Sequence, residues 1–308
     1  MADAVRHVVE VNQFDRARVE ALFAAADRAR ALPRSAQPLA GYILATIFYE
    51  PSTRTRLSFE SAMQRLGGSV ISTENAREFS SAIKGETVED TVRIVSGYAD
   101  AIVIRHHEQG AAHRAASASP VPILNAGDGP GEHPTQALLD LYTIHHELGR
   151  IDNLKVALVG DLRYGRTARS LARMFRLTTG SELIFVSPTV VPMGADVRAE
   201  LDAAGVRYRD EPNLAAVLPE VDVVYQTRVQ QERFTTPEEY ERARGVYVID
   251  RAAMDLLGPK GIVLHPLPRV DEITVEVDDD PRAAYFRQAR NGVYMRMALL
   301  CDVLNQSI

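Results

Sequence analysis

The sequence predicts an α/β protein of two domains, each a parallel sheet flanked by helices, with an active site in the cleft between them. Short apolar runs alternate with longer periodic segments along the chain, which is typical of parallel α/β sheets. The runs are continuous rather than alternating, so both faces of the strands are expected to be covered. A length of 308 residues favours two domains, because one core rarely grows beyond about 250 to 300 residues.

Eight apolar runs are predicted strands. The helix between the fourth and fifth runs starts at Pro134 and stops at Gly149. We therefore expect a first domain over residues 1–133, a linking helix over 134–150 and a second domain over 151–283, with a C-terminal helix over 284–308 packing back on the first domain. The predicted strands cover residues 42–48, 69–73, 101–105, 121–125, 155–160, 182–187, 222–227 and 261–265.

Composition and charge limit the class of partner. The chain is 46% hydrophobic and 25% charged, which is ordinary for a soluble globular protein, and its net charge of -6 argues against nucleic acid or a membrane surface. The single cysteine, Cys301, lies in an apolar helical pattern and is predicted to be a buried thiol in a reducing cytoplasm. We expect no signal peptide and no membrane span, because no apolar run has the required length.

Unusual polar residues follow the predicted strands, in the region where open α/β sheets bind ligands. The first set of strands is followed by Glu50, by Ser52–Arg56, by Arg105 and by a Gly-rich loop that contains His133. The second set is followed by "DLRYGRT", by Thr227–Gln230 and by "HPLPR". So many polar groups at strand ends indicate a ligand-binding cleft.

The segment after the first strand predicts an anion site at the start of a helix. Ser52 is the expected N-cap, and the free N–H groups behind it, together with Arg54, suit a phosphate. The alternative is a plain capped helix with two solvated arginines. Arg56 points to another face and is expected to be structural. The predicted buried face of this helix consists of Leu57, Ala62, Met63 and Leu66.

The histidines do not predict a metal site. His133 has no partner at metal-ligand spacing, so it is a candidate base, hydrogen-bond donor or structural residue. His265 is expected to support its loop rather than to react. The predicted surface histidines are His106, His107, His113, His145 and His146.

The segment "GDLRYGRT" differs from a P-loop only in Arg166, which stands where nucleoside triphosphatases have lysine. A P-loop nucleotide-binding protein is therefore a rival of another class. The pattern G-x-G-x-x-G of dinucleotide sites is absent, which argues against a nicotinamide enzyme.

Several motifs together resemble the family of aspartate and ornithine carbamoyltransferases. The match runs from about residue 8 to the C-terminus, and "HPLPR" and "TRVQQER" are similar to the aspartate branch. Pro266 stands where the ornithine branch typically has cysteine. The motifs are "PSTRTRLSFESA", "KGET", "DAIVIRH", "NAGDG", "HPTQALLDLYTI", "VGDLRYGRTARSLA", "TRVQQER" and "HPLPRVDEI".

The resemblance implies transfer of a carbamoyl group from carbamoyl phosphate to L-aspartate, an early step of pyrimidine biosynthesis, without a cofactor or metal. It implies that Thr55, Arg105 and His133 contact the carbonyl oxygen and that Gln136 contacts the amide nitrogen. The implied carbamoyl phosphate ligands are Ser52, Thr53, Arg54, Thr55, Ser80, Arg105, His133, Gln136, Leu267 and Pro268. The implied aspartate ligands are Lys84, Arg166, Thr167, Arg228, Gln230 and Leu267, and the implied catalytic residues are Arg54, Thr55, Lys84, Arg105 and His133.

The resemblance also implies a homotrimer with shared active sites, in which Ser80 and Lys84 reach a neighbouring site. Ser81 is the alternative to Ser80. Glu50 and Arg233 are implied to act in domain closure. Regulatory chains or a dihydroorotase are possible further partners, and a carbamoyltransferase for another amine such as ornithine and a catalytically inactive scaffold are alternative functions.

Overall fold

The computed structural model describes residues 6–76, 85–229, 236, 238, 240, 241 and 244–308. Five positions singled out from the sequence lie outside these residues. They are Ser80, Ser81, Lys84, Gln230 and Arg233.

Nine strands form two parallel sheets in the described part of the chain. The first sheet has the order β2-β1-β3-β4, and the second has the order β7-β6-β5-β8-β9. The strands are β1 (Ile43–Phe48), β2 (Ser69–Glu74), β3 (Ala101–His106), β4 (Ile123–Asp128), β5 (Lys155–Val159), β6 (Glu182–Val186), β7 (Arg207–Asp210), β8 (Val223–Gln226) and β9 (Ile262–Leu264).

Ten α-helices lie within the described residues. They are α1 (Arg16–Ala31), α2 (Thr53–Arg65), α3 (Val88–Val95), α4 (Ala111–Ala118), α5 (Pro134–Leu148), α6 (Arg166–Met174), α7 (Ala195–Ala203), α8 (Leu214–Val217), α9 (Arg251–Leu256) and α10 (Tyr285–Val303). None of these helices combines the length and the apolarity needed to cross a membrane.

The chain divides into two compact units. Unit 1 comprises Met1–Leu139 and Arg290–Ile308, and unit 2 comprises Asp140–Ala289. Helices α5 and α10 therefore each contribute residues to both units. Unit 1 contains the four-stranded sheet, and unit 2 contains the five-stranded sheet.

All eight predicted strands are present, and the ninth, β7, is new. Its sequence "RYRD" is polar because β7 is an edge strand that pairs only with β6. The expectation that both faces of every strand are covered is wrong for β2, whose residues are all exposed or half-buried. An edge position explains this, since β2 pairs only with β1.

The predicted core face of α2 needs one correction. Phe59, Ala62, Met63 and Leu66 are fully buried, whereas Leu57 is 50% exposed. Phe59 takes the core position because it lies three residues before Ala62, one helical turn away. The boundaries of α5 agree with the prediction, since it begins at Pro134 and ends before Gly149, whose φ is 72°.

Candidate active site

In unit 1, predicted site residues cluster where the strand order reverses. In this sheet β2 lies on one side of β1, and β3 and β4 lie on the other side. The switch point of the sheet is therefore between β1 and β3. Ligands of open α/β sheets bind at such points. Phe48 at the end of β1 pairs with Arg105 at the end of β3, and the N–H of Tyr49 donates to the Arg105 carbonyl at 2.8 Å. The short segment from β1 to α2 carries Glu50 and Ser52.

The first turn of α2 holds four predicted phosphate ligands, Ser52 to Thr55. Ser52 occupies the N-cap position, as predicted, although its hydroxyl makes no capping bond. The N–H groups of the first turn of a helix have no carbonyl partner within the helix, which suits this end to an anion. Thr53 is exposed, whereas Thr55 is buried.

The two arginines of this turn differ in their partners. Arg56 pairs with Glu74 at 2.9 Å and lies 3.7 Å from Glu60, so the expectation that it is structural is confirmed. Arg54 is exposed and forms no ion pair with any residue that the structure describes. Its positive charge is thus available to a ligand.

The contacts that hold Arg105 at the end of β3 include one with a backbone carbonyl and one with a carboxylate. One guanidinium nitrogen donates to the Ala126 carbonyl at 3.1 Å, and another lies 3.3 Å from the Glu50 carboxylate. These contacts place the Arg105 side chain across the switch point. The role of Glu50 in domain closure stays a prediction, since Arg233 is outside the described residues.

His133 and Gln136 lie at the start of α5, which follows β4. His133 is 3% exposed, and its carbonyl accepts the N–H of Gln136 at 3.0 Å. Nδ1 of His133 is 3.5 Å from the Thr135 hydroxyl, at the limit of a hydrogen bond. His133 and Gln136 therefore follow β4, which pairs with β3, the strand that carries Arg105.

His106 is not the surface residue that the sequence predicted. It is 6% exposed, its Nδ1 accepts the Glu108 N–H at 3.0 Å, and its ring stacks on His107. Burial, and then the neighbouring His107, lower the pKa of His106 to about 4. His106 is therefore neutral near pH 7 and serves the packing behind Arg105.

In unit 2, a second group of predicted residues lies at the corresponding switch point, between β5 and β8. The backbone and hydroxyl of Thr227 both donate to the Val159 carbonyl, at 2.8 and 2.9 Å. Gly160 has a φ of 110°, and a Cβ there would lie 2.4 Å from the Thr227 carbonyl oxygen. Only glycine permits this approach, which brings the start of the β5–α6 loop against Arg228.

The β5–α6 loop argues against the P-loop rival. The carboxylate of Asp161 is fully buried and accepts the N–H groups of Arg163, at 3.1 Å, and Tyr164, at 2.9 Å. A P-loop directs such N–H groups at nucleotide phosphates. Here an internal carboxylate uses them, so the loop instead delivers Arg166 and Thr167 to the first turn of α6.

The loop after β9 has an unusual backbone. Leu267 has a φ of 56°, a conformation that non-glycine residues rarely adopt and that occurs at functional sites. Its N–H donates to Nδ1 of His265 at 2.7 Å, which confirms the prediction that His265 supports the loop. Since Nδ1 is an acceptor, the ring proton is on Nε2, which lies 2.8 Å from Glu272.

Glu272 anchors this histidine. Although burial acts to raise the pKa of the Glu272 carboxyl, the bond from His265 and the backbone donor Val270 keep it below its ordinary value. The pair is 1% and 8% exposed. Leu267 is thus held in its left-handed conformation by a buried, ionised support.

A cavity of about 70 Å³ adjoins Arg228 in unit 2. Its lining includes Gly160, Gln226, Arg228, Tyr240, Arg244 and Asp271. Within the described ranges, no group of His, Cys, Asp or Glu side chains has the geometry of a metal site. Cys301 is buried, as predicted, and burial raises the pKa of its thiol to about 12.

Two family models match the chain. "Aspartate/ornithine carbamoyltransferase, carbamoyl-P binding domain" matches residues 6–146, and "Aspartate/ornithine carbamoyltransferase, Asp/Orn binding domain" matches residues 152–303. Most of the predicted carbamoyl phosphate ligands fall in the first match, and most of the predicted aspartate ligands fall in the second.

Named relatives point to the aspartate branch. A rice protein named aspartate carbamoyltransferase, chloroplastic, is 54% identical over 95% of this chain and 83% of its own length. The solved catalytic subunit of Methanocaldococcus jannaschii aspartate transcarbamoylase has a TM-score of 0.90 at 46% identity, covering 97% of this chain and 98% of that one. A Trypanosoma cruzi aspartate transcarbamoylase, solved with carbamoyl aspartate and phosphate, has a TM-score of 0.89 at 42% identity, covering 96% and 95%.

These matches confirm the predicted fold class and the resemblance that the motifs carry. The chain belongs to the aspartate/ornithine carbamoyltransferase family.

Proposed function

We propose that this enzyme transfers the carbamoyl group of carbamoyl phosphate to the amine of L-aspartate, yielding N-carbamoyl-L-aspartate and phosphate in de novo pyrimidine biosynthesis. The observation that carries the proposal is that arginines and the first turns of helices lie at the switch points of both sheets. The relatives of this chain are named aspartate carbamoyltransferase. The Trypanosoma cruzi relative has been solved with carbamoyl phosphate and aspartate together. These names favour aspartate over ornithine.

In unit 1, the first turn of α2 and Arg54 bind the phosphate. Thr55, Arg105 and His133 bind the carbonyl oxygen, on which negative charge grows as the amine attacks. Donors that are already oriented stabilise such charge without reorganising, and loss of one typically costs about 100- to 1000-fold in rate. Ser52, Thr53 and Gln136 complete this group, with the main chain of Leu267 and Pro268.

In unit 2, Arg166, Thr167 and Arg228 bind the carboxylates of aspartate. Arg166 and Thr167 begin α6, where N–H groups and the helix dipole favour an anion. When both substrates are bound, the neutral amine is held beside the carbonyl. The reaction then does not depend on an encounter between two free substrates in solution. The departing phosphate accepts the amine proton, so the reaction requires neither a covalent nucleophile nor a cofactor.

The enzyme acts as a homotrimer with shared sites, to which Ser80, Lys84 and Gln230 contribute. Large apolar side chains that the structure leaves exposed in unit 1 support this proposal. Leu57 on α2 is 50% exposed and Ile71 on the edge strand β2 is 41% exposed. Apolar residues beside an uncovered sheet edge are typical of surfaces that another chain covers.

The buried thiol of Cys301, the only cysteine of the chain, supports a reducing compartment such as the cytoplasm. Regulatory chains or a dihydroorotase are further candidate partners of the trimer.

A side-by-side assay tests the reaction. The purified chain receives carbamoyl phosphate with either L-aspartate or L-ornithine, and the ureido product is measured. Higher kcat/KM with aspartate supports the proposal, whereas higher kcat/KM with ornithine would overturn the choice of substrate. Light scattering should give a mass about three times the 34.0 kDa of one chain.

A further inference from the structure

One fully buried carboxylate in unit 2 has no part in the proposed chemistry. Asp140 lies on α5 and is 0% exposed. One of its oxygens accepts the phenol O–H of Tyr225 at 2.7 Å, and the other accepts the side-chain amide of Gln288 at 2.7 Å. A buried carboxylate is costly without donors, so both partners are firmly tied to it.

The Tyr225 branch leads to the start of α6. Since the phenol donates to Asp140, its oxygen is left as an acceptor, and the Thr167 side chain, as a hydrogen-bond partner, acts to lower the pKa of Tyr225. Burial, and then the charge of Asp140, raise the pKa of Tyr225 well above its ordinary value. The phenol therefore stays protonated, and its proton is directed at Asp140.

This direction decides which donor Thr167 offers to a ligand. Its hydroxyl proton is taken by Tyr225, whereas its backbone N–H, in the first turn of α6, has no carbonyl partner within the helix. Thr167 thus presents its main-chain N–H to an anion and uses its side chain as an anchor.

The Gln288 branch leads to the loop after β9. The amide nitrogen of Gln288 faces Asp140, and its oxygen accepts the backbone N–H of His265 at 2.8 Å. Because both ends of the amide are used, its orientation is fixed. The ring of His265 then accepts the Leu267 N–H at 2.7 Å. Asp140 is therefore connected to Leu267 through three hydrogen bonds.

We propose that Asp140 is a positioning residue that aligns two substrate-binding segments at once, Thr167 through Tyr225, and the Leu267 main chain through Gln288 and His265. This inference rests on the proposed function, since it concerns residues that hold its substrates. A fully satisfied buried network is rigid, and small displacements of binding groups are costly for a reaction that depends on orientation.

Tyr225→Phe tests the first branch, because it removes the phenol and keeps the ring. Thr167 loses its anchor, while Gln288 and Leu267 keep theirs. The KM for L-aspartate should rise about tenfold, the equivalent of one hydrogen bond. The KM for carbamoyl phosphate should not change. In a Thr167→Val background, Tyr225→Phe should add nothing, because Tyr225 acts through the Thr167 hydroxyl.

Gln288→Met tests the second branch. It removes the contact to His265 and fills a similar volume. Because the Leu267 main chain is proposed to contact both substrates, both KM values should rise in this variant. Unchanged KM values in folded Gln288→Met would overturn the second branch.

Tyr285→Phe is the matched control. It removes a phenol bonded to another carboxylate of unit 2, Asp278, and to the Arg269 guanidinium, and its ring is fully buried as well. It should lose comparable stability in urea unfolding and keep both KM values. An equal rise in the KM for aspartate in Tyr285→Phe and Tyr225→Phe would overturn the inference, since any buried phenol would then matter.

An assay of the wild type distinguishes failure of the inference about Asp140 from failure of the proposed function. If the wild type carbamoylates aspartate but Tyr225→Phe keeps the wild-type KM, the inference fails and the function stands. If the wild type does not use aspartate, the proposed function fails and the inference fails with it.

Discussion

The guanidinium of Arg105 lies 3.3 Å from the carboxylate of Glu50, where β1 and β3 end side by side in unit 1. The side chains are 13% and 28% exposed, so water screens the pair only in part. An anion that binds to Arg105 must compete with this carboxylate.

Glu50→Gln should therefore strengthen the binding of carbamoyl phosphate, whose carbonyl oxygen Arg105 is proposed to contact. Removal of one competing, partly exposed charge is worth up to about 1 kcal/mol, or about fivefold in affinity. Isothermal titration calorimetry measures this directly. Glu74→Gln is the control, since Glu74 pairs with Arg56 rather than Arg105. Weaker binding of carbamoyl phosphate in Glu50→Gln would show that the carboxylate orients Arg105 instead of competing for it.

Arg54→Ala and Arg56→Ala should separate function from stability. Arg54 forms no ion pair within the described residues, so its loss should leave the melting temperature unchanged and reduce kcat/KM by about 100- to 1000-fold. Arg56→Ala breaks the pair with Glu74 and should cost about 1 kcal/mol of stability with little loss of turnover. Steady-state kinetics and thermal unfolding of both variants check this. Normal turnover in Arg54→Ala would refute its role in phosphate binding.

Hybrid trimers should regain activity if sites are shared. Arg54→Ala chains lack a phosphate ligand, and Lys84→Ala chains lack the residue that reaches a neighbouring site. In a trimer that contains both variants, one site combines Arg54 from a Lys84→Ala chain with Lys84 from an adjacent Arg54→Ala chain. That site has neither defect. Each pure variant is the control. Absence of recovery after subunit exchange, verified by mass spectrometry, would indicate that each site is built within one chain.

His106 should make the protein less stable in mild acid. Burial and His107 hold the pKa of His106 at about 4, whereas an unfolded histidine titrates near 6.5. Between these values the unfolded state binds more protons, so the free energy of unfolding falls as pH drops from 6.5 to 4.

His106→Asn should flatten this pH dependence, because asparagine does not titrate and its oxygen can still accept the Glu108 N–H. Urea unfolding at about pH 7, 6 and 5 gives the slope of the free energy of unfolding against pH. The exposed His113→Asn should keep the wild-type slope. An unchanged slope in His106→Asn would assign the acid sensitivity to other groups.

Local patterns in the sequence predict the fold class and the positions of most strands. Apolar continuity is a local property of buried strands, and proline and glycine mark helix ends through their own backbone preferences. Polar residues at strand ends, such as Arg105 and Arg228, were recognisable for the same reason. The family followed from motifs that are likewise contiguous in the chain.

Which of these residues meet depends on how the strands and helices are arranged in space. The strand order placed Glu50 against Arg105, and the edge position of β2 left the side chain of Ile71 exposed. Asp140 looked like one polar residue in an apolar helix. Its partners Tyr225 and Gln288 are 85 and 148 residues away in the chain. A buried polar group must find its partners in space, and short-range sequence patterns do not encode distances between segments that far apart.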